Sequence, residues 1–125
     1  HFVTALIKKI QNCVENKEVV LKSFGTGKPL RQFIHASDLA DIIIQGLDKV
    51  LKTDFNVAGD ECHSIREMAE IALDVLDKDL ILNFDTLMPD GQIRKDVCNK
   101  KLLSYIPNFK FTSFEEGIQK VYSKI

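Results

Sequence analysis

Cysteine is scarce in these 125 residues: Cys13, Cys62 and Cys98 are odd in number and far apart. That argues against a disulfide framework and for a reducing compartment, so a cytoplasmic location is expected. No second Cys/His pair stands at zinc-site spacing from Cys62-His63, so no metal site is expected. A surplus of either charge is also lacking, because 17 basic residues meet 18 acidic ones for a net charge of −1. Nucleic-acid binding needs a clustered basic face, so no nucleic-acid partner is expected. No apolar run approaches the roughly 20 residues that span a bilayer, and no membrane partner is expected either. Catalytic signatures are missing as well. There is no G-x-G-x-x-G after a first strand, no G-x-S-x-G elbow, and no lysine four residues after Tyr105 or Tyr122. Gly25-Thr-Gly27 leads into a strand-like run, so it lacks the helix N-terminus that would hold a pyrophosphate. Alone, these residues are not expected to transfer a hydride.

What is present reads as one α/β domain over residues 1–125, with 45% hydrophobic and 28% charged residues. Phe2, Ala5, Leu6, Ile10, Cys13 and Val14 recur at helical spacing, which predicts a helix over 2–16. Strands are expected at 18–24, 31–35, 55–58 and 80–84. Ser37 or Asp38 is expected to cap a helix running to about Leu51, whose Leu39, Ile42, Ile43, Ile44 and Leu47 predict extensive burial. Ser64-Ile-Arg-Glu67 and Ser113-Phe-Glu-Glu116 are capping-box patterns opening helices to about Leu76 and Tyr122. A short helix near 99–105 and a loop at 88–95 complete an α/β layering of four or five helices around a small sheet. His1 opens directly into one helical pattern and Ile125 closes another, so the sequence is expected to be a piece of a larger polypeptide.

The segment from Phe24 to Asp41 is the most telling. Two glycines and Pro29 force a reversal, and Arg31 then opens an extended Arg-Gln-Phe-Ile-His run. A guanidinium at a strand edge beside an open turn can hold an anion such as a diphosphate. An arginine covering apolar surface is the alternative reading of that residue taken alone. Lys9, Asp90, Arg94 and Lys95 are further polar candidates on loops and helix faces, where solvated surface charge is the alternative for each.

Five stretches occur in a telling order: His1-Phe-Val-Thr-Ala-Leu-Ile-Lys-Lys9, Gly25-Thr-Gly-Lys-Pro-Leu-Arg-Gln-Phe-Ile-His-Ala-Ser-Asp-Leu-Ala40, Phe55-Asn-Val-Ala-Gly59, Ser64-Ile-Arg-Glu67 and Phe84-Asp-Thr-Leu-Met-Pro-Asp-Gly-Gln-Ile-Arg-Lys95. Together the chain resembles the C-terminal part of the GDP-L-fucose synthase family, a branch of the extended short-chain dehydrogenases. The resemblance implies a small C-terminal substrate-binding domain, with an N-terminal Rossmann domain of the same polypeptide as its partner. That other domain would carry most of the NADP site and the Ser/Tyr/Lys catalytic set. It implies GDP-4-keto-6-deoxy-D-mannose as substrate, taken through 3,5-epimerisation and NADPH-dependent 4-reduction to GDP-L-fucose. It further implies a full-length homodimer and an isolated piece without activity. By residue, it casts His1 as a catalytic acid that also touches the cofactor. Lys9, Phe24, Arg31, Asp90 and Lys95 become substrate-binding. Phe24 stands where the family commonly has tryptophan, keeping a stacking face but losing the indole donor. Leu87-Met88 stands where a serine-lysine is frequent, so any contact from that lysine is lost, and Thr4 replaces a common proline. Two rival readings remain: the substrate domain of another nucleotide-sugar epimerase or reductase, and a non-catalytic binding module of this fold.

Overall fold

In the computed structural model, which describes residues 2–49 and 52–124, the amphipathic pattern of the first segment becomes α1 (Phe2–Glu15). Its buried stripe of Leu6, Ile7, Ile10 and Cys13 packs on β1 (Val20–Phe24), α3 (Ile65–Val75) and α5 (Phe114–Tyr122). α1 ends on Lys17 at φ 56°, and Glu18 N–H donates back to Cys13 O at 2.8 Å. This left-handed close pushes the strand start from the expected 18 to Val20. Asp77, at φ 51°, finishes α3 the same way through Lys78 N–H to Leu73 O at 2.9 Å.

The expected small sheet is two sheets. β1 runs parallel to β4 (Ile81–Asp85) in the register Val20↔Ile81 to Phe24↔Asp85. A separate three-stranded sheet has β2 (Leu30–Gln32) at its centre, antiparallel to β3 (Cys62–Ser64) and parallel to β5 (Arg94–Lys95). β3 and β5 lie where no strand was expected. With three and two residues they are too short to carry a period, and only β2 makes them strands.

α2 (Ala36–Asp48) differs from expectation at both its cap and its burial. Its N-cap is His35, whose Nδ1 accepts from Ser37 N–H at 3.3 Å. Asp38 instead turns inward at 5% exposure. Ile42 is buried, but Leu39, Ile43, Ile44 and Leu47 are 40%, 54%, 56% and 72% exposed. The expected end near Leu51, like His1, lies outside the described residues. Segment 55–58 is also no strand: Phe55 and Val57 pack inward, but no described strand lies alongside to take its backbone. Side chains hold its end, with Gln32 Nε2 donating to Gly59 O and Asn99 Nδ2 to Ala58 O.

Packing divides into two cores. The larger gathers Leu6, Ile7, Ile10, Leu21, Ala69, Ala72, Leu73 and Ile118 from α1, β1, α3 and α5. The smaller holds Ile42 of α2 with Leu102 and Ile106 at α4 (Lys100–Tyr105), flanked by Phe55, Val57, Phe109 and Phe111. Ser64 makes the full capping box with Glu67 that its spacing predicts. At α5 only half forms: Ser113 accepts from Glu116 N–H, while Glu116 pairs with Lys120 at 2.8 Å. Glu61 supplies a further acceptor there, taking Phe114 N–H at 2.9 Å.

Candidate functional site

The glycine turn between β1 and β2 closes over the end of the larger core and leaves a cavity of about 270 Å³. Its floor is apolar, from Leu6, Leu21, Ile65, Ala69 and Leu82. Lys9, Phe24, Arg31 and Asp90 stand around the rim, so four of the residues singled out from sequence meet at one opening. Gly25 and Gly27 both take φ 77°, a left-handed conformation that side chains resist. Space demands glycine at 27 as well, because a Cβ there would lie 2.7 Å from the Phe84 ring. The turn is fixed from below by α3, whose Ile65 and Arg66 N–H groups donate to Pro29 O and Gly27 O at 3.0 and 2.9 Å. Arg66 also lies over the Phe84 ring at 4.4 Å, a support that its place inside a capping box did not signal.

Lys9 reaches across the mouth. Its Nζ donates to Lys22 O at 3.3 Å and sits 5.1 Å from the centre of the Phe24 ring, which is 65% exposed. Arg31 is half-buried, and its Nη1 donates to Leu30 O and Gln92 O, each at 2.7 Å. Nη1 is thereby fully used. Nε–H and both Nη2 protons have no hydrogen-bond partner among the described residues, leaving a planar two-point fork. That fork suits two oxygens of a phosphate or carboxylate.

Asp90 is engaged with the protein. Oδ1 accepts Thr26 N–H at 2.8 Å and Oδ2 accepts the Thr26 hydroxyl at 2.6 Å. The hydroxyl bond first, then the backbone bond, holds this carboxyl below the ordinary carboxylate range. Thr26 had no signal in the sequence, since 64 residues separate it from its partner. Lys95 pairs with Arg31 across β5 and β2 but lines a different cavity, which shares Arg31 and Phe2 with the first. Arg94 forms a two-point pair with Asp96 at 2.9 and 2.8 Å, which lowers the aspartate and raises the guanidinium pKa. It is a surface pair and does not face the first cavity. His1 lies outside the described residues.

Another cavity, of about 350 Å³, also bordered by Arg31, opens among Phe33, His35, Glu61, His63 and Phe114. Within it Glu61 is engaged twice, taking His63 Nε2 at 3.1 Å as well as Phe114 N–H. No group of three or more metal-ligating side chains occurs among the described residues. No helix of the described residues is long and apolar enough to cross a membrane.

Residues 1–109 match the family model described as GDP-mannose 4,6 dehydratase. The chain is 32% identical to a GDP-L-fucose synthase of Dictyostelium discoideum over 123 residues, covering 96% of the chain and 38% of that protein. It is 31% identical to GDP-L-fucose synthase 1 of Arabidopsis thaliana, covering 98% of the chain and again 38% of the relative. A GDP-L-fucose synthetase of Naegleria fowleri, solved with NADP bound, superposes with a TM-score of 0.88 at 28% identity. That superposition covers 98% of the chain and 39% of the solved protein. The chain therefore spans about two-fifths of the length of these relatives.

Proposed function

The chain belongs to the GDP-mannose 4,6 dehydratase family, and from that premise we propose that it is the substrate-binding part of an enzyme acting as a GDP-L-fucose synthase. The single observation that carries the reading is the unfilled Arg31 fork beside a cavity with an apolar floor and a cationic, aromatic rim. A guanine nucleotide fits this division. The base and ribose lie against the apolar floor and Phe24, and the diphosphate takes Arg31, with Lys9 as a mobile point charge. Lys95, next to Arg31 across β5 and β2, adds positive field from the adjoining cavity. The substrate in this reading is GDP-4-keto-6-deoxy-D-mannose. Its C4 ketone acidifies the protons at C3 and C5, and an imidazole titrating near neutrality suits the proton transfers there, the role given to His1.

NADP does not fit the described residues, because their only glycine pair leads into β2 and not into a helix N-terminus. The reduction at C4 is therefore assigned to another part of the polypeptide, an N-terminal Rossmann domain. Support comes from the exposed apolar face of α2 and from segment 55–58 beside it, which has no neighbouring strand among the described residues. Together they offer an apolar surface for that domain to cover. The whole protein is read as a cytoplasmic homodimer, and the 125 residues alone as inactive.

A ligand panel on the full-length polypeptide tests the reading. Ligands that bind only the folded state raise the melting temperature by mass action. GDP is expected to raise it and UDP is not. Protection by UDP alone would assign the chain to a different nucleotide-sugar enzyme. The isolated 125 residues are expected to show no NADPH oxidation with the keto sugar nucleotide, and measurable turnover would contradict the assignment of the catalytic groups.

A further inference from the structure

Asp90 reads from sequence as a ligand for sugar or base, yet both its oxygens are taken up by Thr26, one by the backbone N–H and one by the hydroxyl. The fit is close, since a Cβ at Gly25 would collide with Asp90 Oδ1. The pair therefore locks two loops together, the glycine turn and the strap that follows β4.

The strap then runs directly past Arg31. Gln92 O accepts from Arg31 Nη1 at 2.7 Å, and Ile93 O accepts from Leu30 N–H at 2.8 Å. Between them and the clasp lies Gly91, where an added Cβ would come to 3.3 Å from Arg31 Nη2. Arg31 is thus steered from one side by its own Leu30 carbonyl and from the other by a carbonyl two residues beyond Asp90. A flexible arginine otherwise loses much rotamer freedom on binding an anion, and prior fixation removes that cost.

We propose that Thr26 and Asp90 form a positioning clasp for Arg31, holding the strap whose Gln92 carbonyl aims the guanidinium fork into the nucleotide cavity. Asp90 is then a positioning residue for Arg31. The inference rests on the reading of that cavity as a diphosphate site.

Binding calorimetry on the full-length polypeptide, with GDP and guanosine as probes, tests it. Thr26→Val keeps the shape of the side chain and removes the hydroxyl. It is expected to weaken GDP about tenfold, as loss of a well-placed charged contact does, while guanosine, which has no phosphate, binds as before. Thr26→Ser restores GDP affinity to within about twofold of the parent, because the hydroxyl is what the clasp needs. In an Arg31→Ala background, Thr26→Val has no further effect on GDP, since the two residues act as one unit. Unchanged GDP affinity in Thr26→Val, equal losses for GDP and guanosine, or additive losses with Arg31→Ala would each overturn the clasp. Failure of the parent protein to bind GDP at all would overturn the nucleotide reading, and the clasp with it. Should Thr26→Val not fold, Asp90→Asn gives the same ratio of GDP to guanosine affinity, with the same outcomes deciding.

Discussion

Asp38 and Asp90 are held in the same way, each by the backbone N–H and hydroxyl of a single threonine, yet they stand in unlike regions. Asp38 is buried at the start of α2 and ties that helix to Thr112, ahead of α5. Around it lies the smaller core, with an exposed row of Leu39, Ile43, Ile44 and Leu47 and, at 55–58, a segment without a neighbouring strand among the described residues. Asp90 stands at the rim of the first cavity, above the larger core, beside an arginine whose Nε and Nη2 have no hydrogen-bond partner among the described residues. On the reading proposed above, the first region receives more protein and the second a small anion. The same chemical device recurs in both, within unlike surroundings.

The sharpest way to break this comparison is to remove each threonine hydroxyl in turn. Thr112→Val leaves a buried carboxylate short of one donor and is expected to cost about 2–3 kcal/mol of stability, read as a lower denaturation midpoint, with GDP affinity unchanged. A GDP defect in that variant would erase the distinction between the two clasps. Next in size, Arg31→Ala is expected to weaken GDP-sugar binding at least about tenfold, close to 1.4 kcal/mol, with little effect on melting. An unchanged KM for the sugar nucleotide would remove Arg31 from the site. On the α2 face, Ile44→Gln and Leu47→Gln are expected to alter the isolated 125 residues by less than about 0.5 kcal/mol each. In the full-length protein each should cost about 1 kcal/mol or more, because there the side chain is covered. Equal effects in both settings would mean that nothing docks on this face.

The smallest effect is one of pH. Asp90 has a lowered pKa in the folded state through its two bonds to Thr26. A depressed carboxyl contributes stability that is complete above its unfolded pKa of about 4, and that is lost as pH falls through the lower folded value. Acid melting of the parent and of Asp90→Asn should therefore differ at neutral pH and converge as pH drops below about 4. A gap that stays constant across that range would show that the carboxyl is not held ionised by the clasp.

Helices were the most legible part of this fold. Phe2–Glu15 and Ile65–Val75 carry their periodicity and caps within their own residues, so local sequence suffices. Burial of α2 was misjudged because periodicity reports which residues are apolar and is silent on whether a partner covers them. The strand pattern of 55–58 fails for the same reason, since a strand needs a neighbour. β3 and β5 were unreadable because their two or three residues become strands only beside β2. At the site, Lys9, Arg31 and Asp90 stand out by residue type and Phe24 only through the resemblance; all four line one cavity, while Lys95 lines another. The bond between Thr26 and Asp90 is invisible to a linear reading, as is the carbonyl of Gln92 that steers the arginine, because both belong to contacts made only after the chain folds.

The most direct test is a crystal structure of the full-length polypeptide with GDP bound. The diphosphate is expected to lie within hydrogen-bond reach of Arg31 Nε and Nη2, with the base in the cavity beside Phe24 and Asp90 still bonded to Thr26. A nucleotide bound with its phosphates away from Arg31, or outside the cavity between α1 and the glycine turn, would contradict the account.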